Sequence, residues 1–144
     1  MKKADFAERL SEMMQETGVT HDRLSKELGF SLSTAYTWQR DKRNIRLSNF
    51  VALCFYFDCS LDFMAGRTEN NSKPSKRELP KFMDSVRAIM RRKKISSYKM
   101  RKETRFSGGH FNNWENGAEP QLSTLIELAN YFNCSLDELV GLEA

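Results

Sequence analysis

No stretch of this sequence is apolar for long enough to cross a bilayer, so a membrane-spanning helix and a membrane partner are excluded. Residues that carry chemistry are scarce. The two histidines and three cysteines lack the paired spacing of a zinc site. Neither histidine has a nucleophile and an acid arranged beside it, so no catalytic set is visible and the chain is not read as an enzyme. Nothing in the sequence asks for a cofactor or points to a small-molecule substrate. An odd cysteine count argues for reduced thiols and a cytoplasmic setting. Cys54, Cys59 and Cys134 stand at apolar positions and read as buried structural thiols. The opening Met1-Lys2-Lys3-Ala4-Asp5 leads into an amphipathic pattern containing acids, so a signal peptide is not expected. Period-two alternation is missing throughout, so no sheet is expected.

Positive charge is missing from one region. Residues 107–144 hold no Lys or Arg and six acids. Residues 67–106 hold fourteen bases and four acids, and residues 1–66 hold nine of each. A basic block of this kind has the sign that suits a polyanion. Alone it is equally well read as a solvated helix face joined to a linker.

What is present is a repeat. Sliding the chain by 75 or 76 residues places Trp38 on Trp114 and Leu47-Ser48 on Leu122-Ser123. It also places Tyr56-Phe57-Asp58-Cys59-Ser60-Leu61-Asp62 on Tyr131-Phe132-Asn133-Cys134-Ser135-Leu136-Asp137. A repeat of that length duplicates a small domain, not a solenoid unit. The boundaries read as one domain over 1–66, a polar linker over 67–79 rich in Asn, Ser and Pro, and a second domain over 80–144. Pro80 suits the first turn of a new helix.

Apolar spacing is helical in both copies. Phe6, Leu10, Met13 and Met14 mark a first buried stripe, answered by Phe82, Val86, Ile89 and Met90. Thr20 and Ser96 follow short breaks and are good N-caps for a second helix. That helix buries Leu24 and Leu28, or Met100. Gly29 ends it in the first copy, where the second copy has the less comfortable Arg105. A third helix is expected over 33–40 and 109–116, with Ala35 and Trp38, or Phe111 and Trp114, on its inner side. A fourth carries Leu47, Phe50, Leu53 and Phe57, or Leu122, Leu125, Leu128 and Phe132. Ser60 and Ser135 cap a short fifth, the latter in a capping box with Glu138. The fold class is therefore all-α, as two tandem five-helix domains.

The segment from Leu24 to Arg40 is a helix, a sharp glycine turn and a second helix with small or polar residues at its start. Residues 100–117 answer it. This is the pattern of a helix-turn-helix. Both copies resemble the Cro and lambda-repressor family, and residues 114–139 are especially similar to it. The resemblance implies binding of double-stranded DNA through the third helix of each repeat in the major groove, as a transcriptional regulator and most simply a repressor. By the family's positions the base-reading residues are Leu32, Ser33 and Thr37 with Thr34 beside them, and Gly108, Gly109 and Asn113 with His110 beside them. His21 and Ser97 occupy the polar site at the start of the second helix, where backbone amides favour a phosphate. Arg40, Lys42, Arg43 and Arg46 follow the first recognition helix, and Asn116 is the counterpart of Arg40. Arg91, Arg92, Lys93, Lys94, Lys99 and Arg101 form a second phosphate-contacting patch.

The second copy departs from the pattern. Gly108 and Gly109 supply no side chain for readout and weaken a helix by about 1 kcal/mol each relative to alanine. They also allow close backbone approach. Ala118 and Glu119 replace Lys42 and Arg43. Family members often pair an arginine of the first helix with a glutamate after the buried residue of the third. Here those positions hold Met14 with Gln39 and Met90 with Glu115, so that ion pair is expected to be missing from both copies. The first copy is the better reader on charge. Two heads on one chain would act as a built-in pseudo-dimer. The 13 residues between Gly66 and Pro80 stretch to at most about 45 Å, against half-sites about 34–36 Å apart. Two alternatives stay open. One is a DNA-binding repeat joined to a repeat that binds protein, such as a second copy in a homodimer. The other is an antitoxin or RNA-binding adaptor.

Overall fold

The structure, a computed structural model, describes residues 5–40, 45–73 and 78–143, apart from the side chains of Gln39 and Arg40. Every named element among the described residues is a helix. The chain divides into two compact units near residue 74. The first holds α1 (Phe6–Thr17), α2 (His21–Leu28), α3 (Leu32–Arg40), α4 (Leu47–Phe57) and α5 (Leu61–Met64). The second holds α6 (Phe82–Lys93), α7 (Ser97–Glu103), α8 (Gly108–Glu115), α9 (Leu122–Phe132) and α10 (Leu136–Leu139).

Local signals set the helix ends. Asp5 Oδ1 accepts the Glu8 amide at 3.0 Å and starts α1. The Thr20 and Ser96 hydroxyls accept the amides of Arg23 (3.2 Å) and Lys99 (3.0 Å), capping α2 and α7 as their sequence positions predict. Ser60 and Ser135 do the same for α5 and α10. The Glu138 carboxylate, expected to complete a capping box, reaches Arg92 at 3.1 Å. Pro80 lies two residues ahead of α6, and Lys81 takes the cap position. Each cap satisfies amides that a helix end leaves orphaned.

The apolar stripes meet as the spacing predicts. Phe6, Leu10, Leu24, Trp38, Phe50, Leu53 and Leu61 are buried in the first unit. Phe82, Val86, Met100, Phe106, Trp114, Leu125, Leu128, Phe132 and Leu136 are buried in the second. Each tryptophan packs edge-on or tilted against phenylalanine, with Phe30 on Trp38 at 4.5 Å and Phe82 on Trp114 at 5.3 Å between centroids. Met13 and Leu28 are only half-buried at the edge of their stripes, as is Phe111. Cys54 and Cys59 are buried and Cys134 half-buried, and none of them is in a disulfide.

The two turns between second and third helix are built differently. In the first unit Gly29 ends α2 at φ +80°, the left-handed conformation that glycine adopts most cheaply. In the second, α7 stops one residue sooner at Thr104, whose φ is −130°. The Thr104 hydroxyl donates to the Met100 carbonyl at 2.6 Å and accepts the Phe106 amide at 3.1 Å. Arg105 therefore never needs a left-handed backbone. It lies over the Phe106 ring and pairs with Glu127 at 2.8 Å.

A tyrosine of the fourth helix holds the second in both units. The Tyr131 hydroxyl donates to Glu103 at 2.8 Å. Partial burial, reinforced by that carboxylate, pushes its phenol up to about 12. Tyr56 bonds Glu27 one repeat earlier, which raises the phenol and lowers the carboxyl.

Residues 67–73, read as linker from their composition, are tied to the first unit. Asn71 Oδ1 accepts the Ser60 amide at 3.0 Å, and Lys73 pairs with Asp58 at 2.7 Å. Glu69 reaches the buried Arg9 at 3.3 Å, whose guanidinium lies 4.0 Å from the Phe63 ring centre.

Candidate nucleic-acid interface

In the first unit α3 buries Ala35 and Trp38 and turns its other side outward. Ser31 caps it, accepting the Thr34 amide at 3.2 Å, with the Ser33 and Thr34 hydroxyls 3.1 and 2.7 Å from the Ser31 oxygen. Leu32 and Ser33 are exposed, and Thr34 and Thr37 half-exposed. The Thr37 hydroxyl donates to the Ser33 carbonyl at 2.8 Å. That bond fixes the rotamer and leaves the methyl and the oxygen lone pairs for another partner. Four of the base-reading candidates thus share one helix end.

Tyr36, which sequence reasoning passed over, belongs to the same face. It is 48% exposed and stacks on His21, with ring centroids 4.4 Å apart and planes 20° from parallel. Its position three residues after Ser33, opposite Ala35 and Trp38, was the available signal. The stack sets His21, at the start of α2, beside the outward face of α3. The residue expected at a phosphate and the helix face expected to meet bases are thereby adjacent. Arg46 is exposed at the start of α4. Lys42, Arg43 and the Arg40 side chain lie outside the described residues.

The second unit fills the matching positions otherwise. Gly109 and Asn113 are exposed on α8, with Asn112 at the place of Tyr36. His110 is half-buried. Its Nδ1 accepts the Ser107 amide at 3.1 Å and lies 3.2 Å from the Ser107 hydroxyl, and its ring packs edge-on against Phe106. The imidazole is therefore occupied at the helix start. A Cβ on Gly108 meets nothing within 4 Å, and one on Gly109 only the Ser107 hydroxyl at 3.4 Å. Neither glycine is forced by packing or by a positive φ.

The second basic patch splits. Arg92 pairs with Glu138, and Lys93 Nζ donates to the Asn133 carbonyl at 3.5 Å, so both turn toward the fifth-helix end of the unit. Arg91, Lys94, Ser97, Lys99 and Arg101 are exposed around α7, and Asn116 at the end of α8. The expected loss of an ion pair between first and third helices needs correction in this unit. Glu115 meets Arg87 at 2.7 Å and Lys81 at 3.4 Å. The bond from Arg87, helped by Lys81, holds its carboxyl below the usual range. The arginine stands three residues before Met90, the position that the family pattern names.

Two bundles, each with a sharp turn leading into a third helix whose outer side is open, define a helix-turn-helix protein. The model of the Cro/C1-type helix-turn-helix DNA-binding domain matches residues 9–62 and again residues 86–144. The chain belongs to that family and is a DNA-binding protein with two such domains in tandem. No curated protein and no solved structure matches it. Among the described residues no helix is long and apolar enough to cross a membrane.

Proposed function

We propose that the chain reads double-stranded DNA by sequence, chiefly through α3, and regulates transcription, most simply as a repressor that occupies its site. The observation that carries this is the outward face of α3. Ser33, Tyr36 and Thr37 are held on a helix anchored by Trp38 and Ala35, with His21 stacked at its flank. A major groove about 12 Å wide admits such a helix, and hydroxyl and methyl groups discriminate base edges there. His21 and Arg46, with Arg40, Lys42 and Arg43, would take phosphates and fix the register. In the second unit Asn113, with Gly109 beside it, would touch bases. Arg91, Lys94, Ser97, Lys99 and Arg101 would hold the backbone, with Asn116 at the Arg40 position.

A second reading assigns α8 to a protein partner instead. The occupied His110 and the side-chain-free start at Gly108-Gly109 favour it.

Full-length chains carrying Thr37→Glu or Asn113→Glu separate the two. A wrong contact at one base costs about 1–3 kcal/mol, and a carboxylate adds repulsion. Thr37→Glu should lower specific affinity by about a hundredfold. If Asn113→Glu leaves affinity unchanged, the second unit is no reader. If Thr37→Glu does, the proposal fails.

A further inference from the structure

The second unit carries a groove of about 640 Å³ whose apolar lining DNA reading does not use. Met83 and Met90 of α6, Ile95 of the following turn and Phe111 of α8 supply its apolar surface, and three cations stand at its rim. Of these, Arg87 is committed to Asp84 and Glu115. Arg91 and Lys94 are exposed and form no ion pair among the described residues.

The first unit shows that the fold does not require this surface. One repeat earlier it has Ala7 and Ala35 for Met83 and Phe111, and Gln15 and Gly18 for Arg91 and Lys94. Lys94 is informative. It ends α6 at φ +56°, where Gly18 ends α1 at φ +73°. A left-handed backbone disfavours a side chain, so glycine would serve the turn better. The position keeps a cation against that preference.

We propose that this groove binds a small anionic amphiphile, an apolar body with one carboxylate or phosphate head. Its volume lies within the roughly 300–1,000 Å³ of small-molecule sites, which combine apolar walls with a few placed polar groups. The methionines adapt to irregular apolar shapes. Arg91 and Lys94 would receive the head, with charge left over to do so. An occupant would compete with DNA for these two side chains, making the groove an effector site. Its binding is measurable without DNA, so it can fail while the DNA reading stands.

The test titrates the full-length chain, without DNA, with decanoate, decyl phosphate and naphthoate. Decanol is the neutral control. Calorimetry and methionine-methyl NMR are the readouts. At least one anion should bind saturably, one per chain, and move the Met83 and Met90 methyl signals. The pair Arg91→Gln and Lys94→Gly installs the first unit's residues and relieves the turn. It should weaken that binding by about tenfold or more, roughly 1.4 kcal/mol, without loss of thermal stability. Preference between decanoate and decyl phosphate then names the head. The proposal is overturned if no anion binds, if decanol binds equally well, or if the double variant binds unchanged. It is also overturned if only an acidic amphipathic peptide moves those methyl signals, which would make the groove a protein-docking surface.

Discussion

The two units are one scaffold dressed twice, and comparing them separates what the fold needs from what the surface adds. Both place an apolar stripe, a serine or threonine cap and a buried tryptophan at matching positions, and both clamp the second helix to the fourth through a tyrosine and a glutamate. They differ on the third helix. In α3 the solvent side carries hydroxyls and an exposed tyrosine. In α8 it starts with two glycines and a histidine folded back on its own cap. Charge follows the same division. Arg40, Lys42, Arg43 and Arg46 stand at or after the end of the first unit's third helix, whereas the second unit has no Lys or Arg there and gathers its cations before it, around α7. A shared core with unlike faces is expected where stability is common to two copies and recognition is not.

Exchanging turn residues breaks the comparison hardest. Gly29→Arg forces a side chain into the left-handed region and should cost the first unit about 1–2 kcal/mol in denaturant unfolding. Arg105→Gly brings no such strain and loses the exposed pair with Glu127 and the contact over Phe106, which should cost about 0.5–1 kcal/mol. Equal losses would mean that the turns are not built differently.

Glycine at the head of α8 sharpens it next. Gly108→Ala and Gly109→Ala should each stabilise the second unit by up to about 1 kcal/mol, because nothing crowds the added methyl groups. If they also weaken DNA binding, the backbone of α8 approaches the duplex. If binding is untouched, these glycines serve no reading role.

Titration resolves smaller effects. Tyr131 has its phenol raised to about 12, so the stability it contributes is whole below the ordinary value near 10 and is lost as pH climbs through 12. Tyr131→Phe should flatten the alkaline loss of stability between those limits. Glu115 is shifted the other way. Its contribution is present above the ordinary carboxyl range and fades as pH falls through its lowered value. Glu115→Gln should lessen the acid sensitivity of the second unit, while Gln39→Glu should bring no matching gain in the first, where Ser11 stands in place of Arg87.

Much of this was legible in the residues. Helical spacing marked the cores, and Thr20, Ser96, Ser60 and Ser135 announced their caps because capping is a local bond between near neighbours. Interactions that depend on tertiary placement were not legible. The Arg87–Glu115 pair lies one turn from the Met90 position of the family pattern, and sequence alone does not say which residue of α6 faces the end of α8. The stack of Tyr36 on His21 joins two different helices and leaves no mark in the local spacing. Sequence position set His110 beside the expected readers but could not show its Nδ1 on the Ser107 amide. Residues 67–73 read as tether by composition, yet Asn71 and Lys73 are held by Ser60 and Asp58.

The central claim is that α3 reads base edges in the major groove. Selection of bound duplexes from a randomised pool by the full-length chain, followed by probing of guanine N7 on the recovered sequence, tests it most directly. The account predicts one enriched sequence, protection of N7 in the major groove, and loss of both on Thr37→Glu. A pool that stays random, with binding that depends on salt alone, would contradict it.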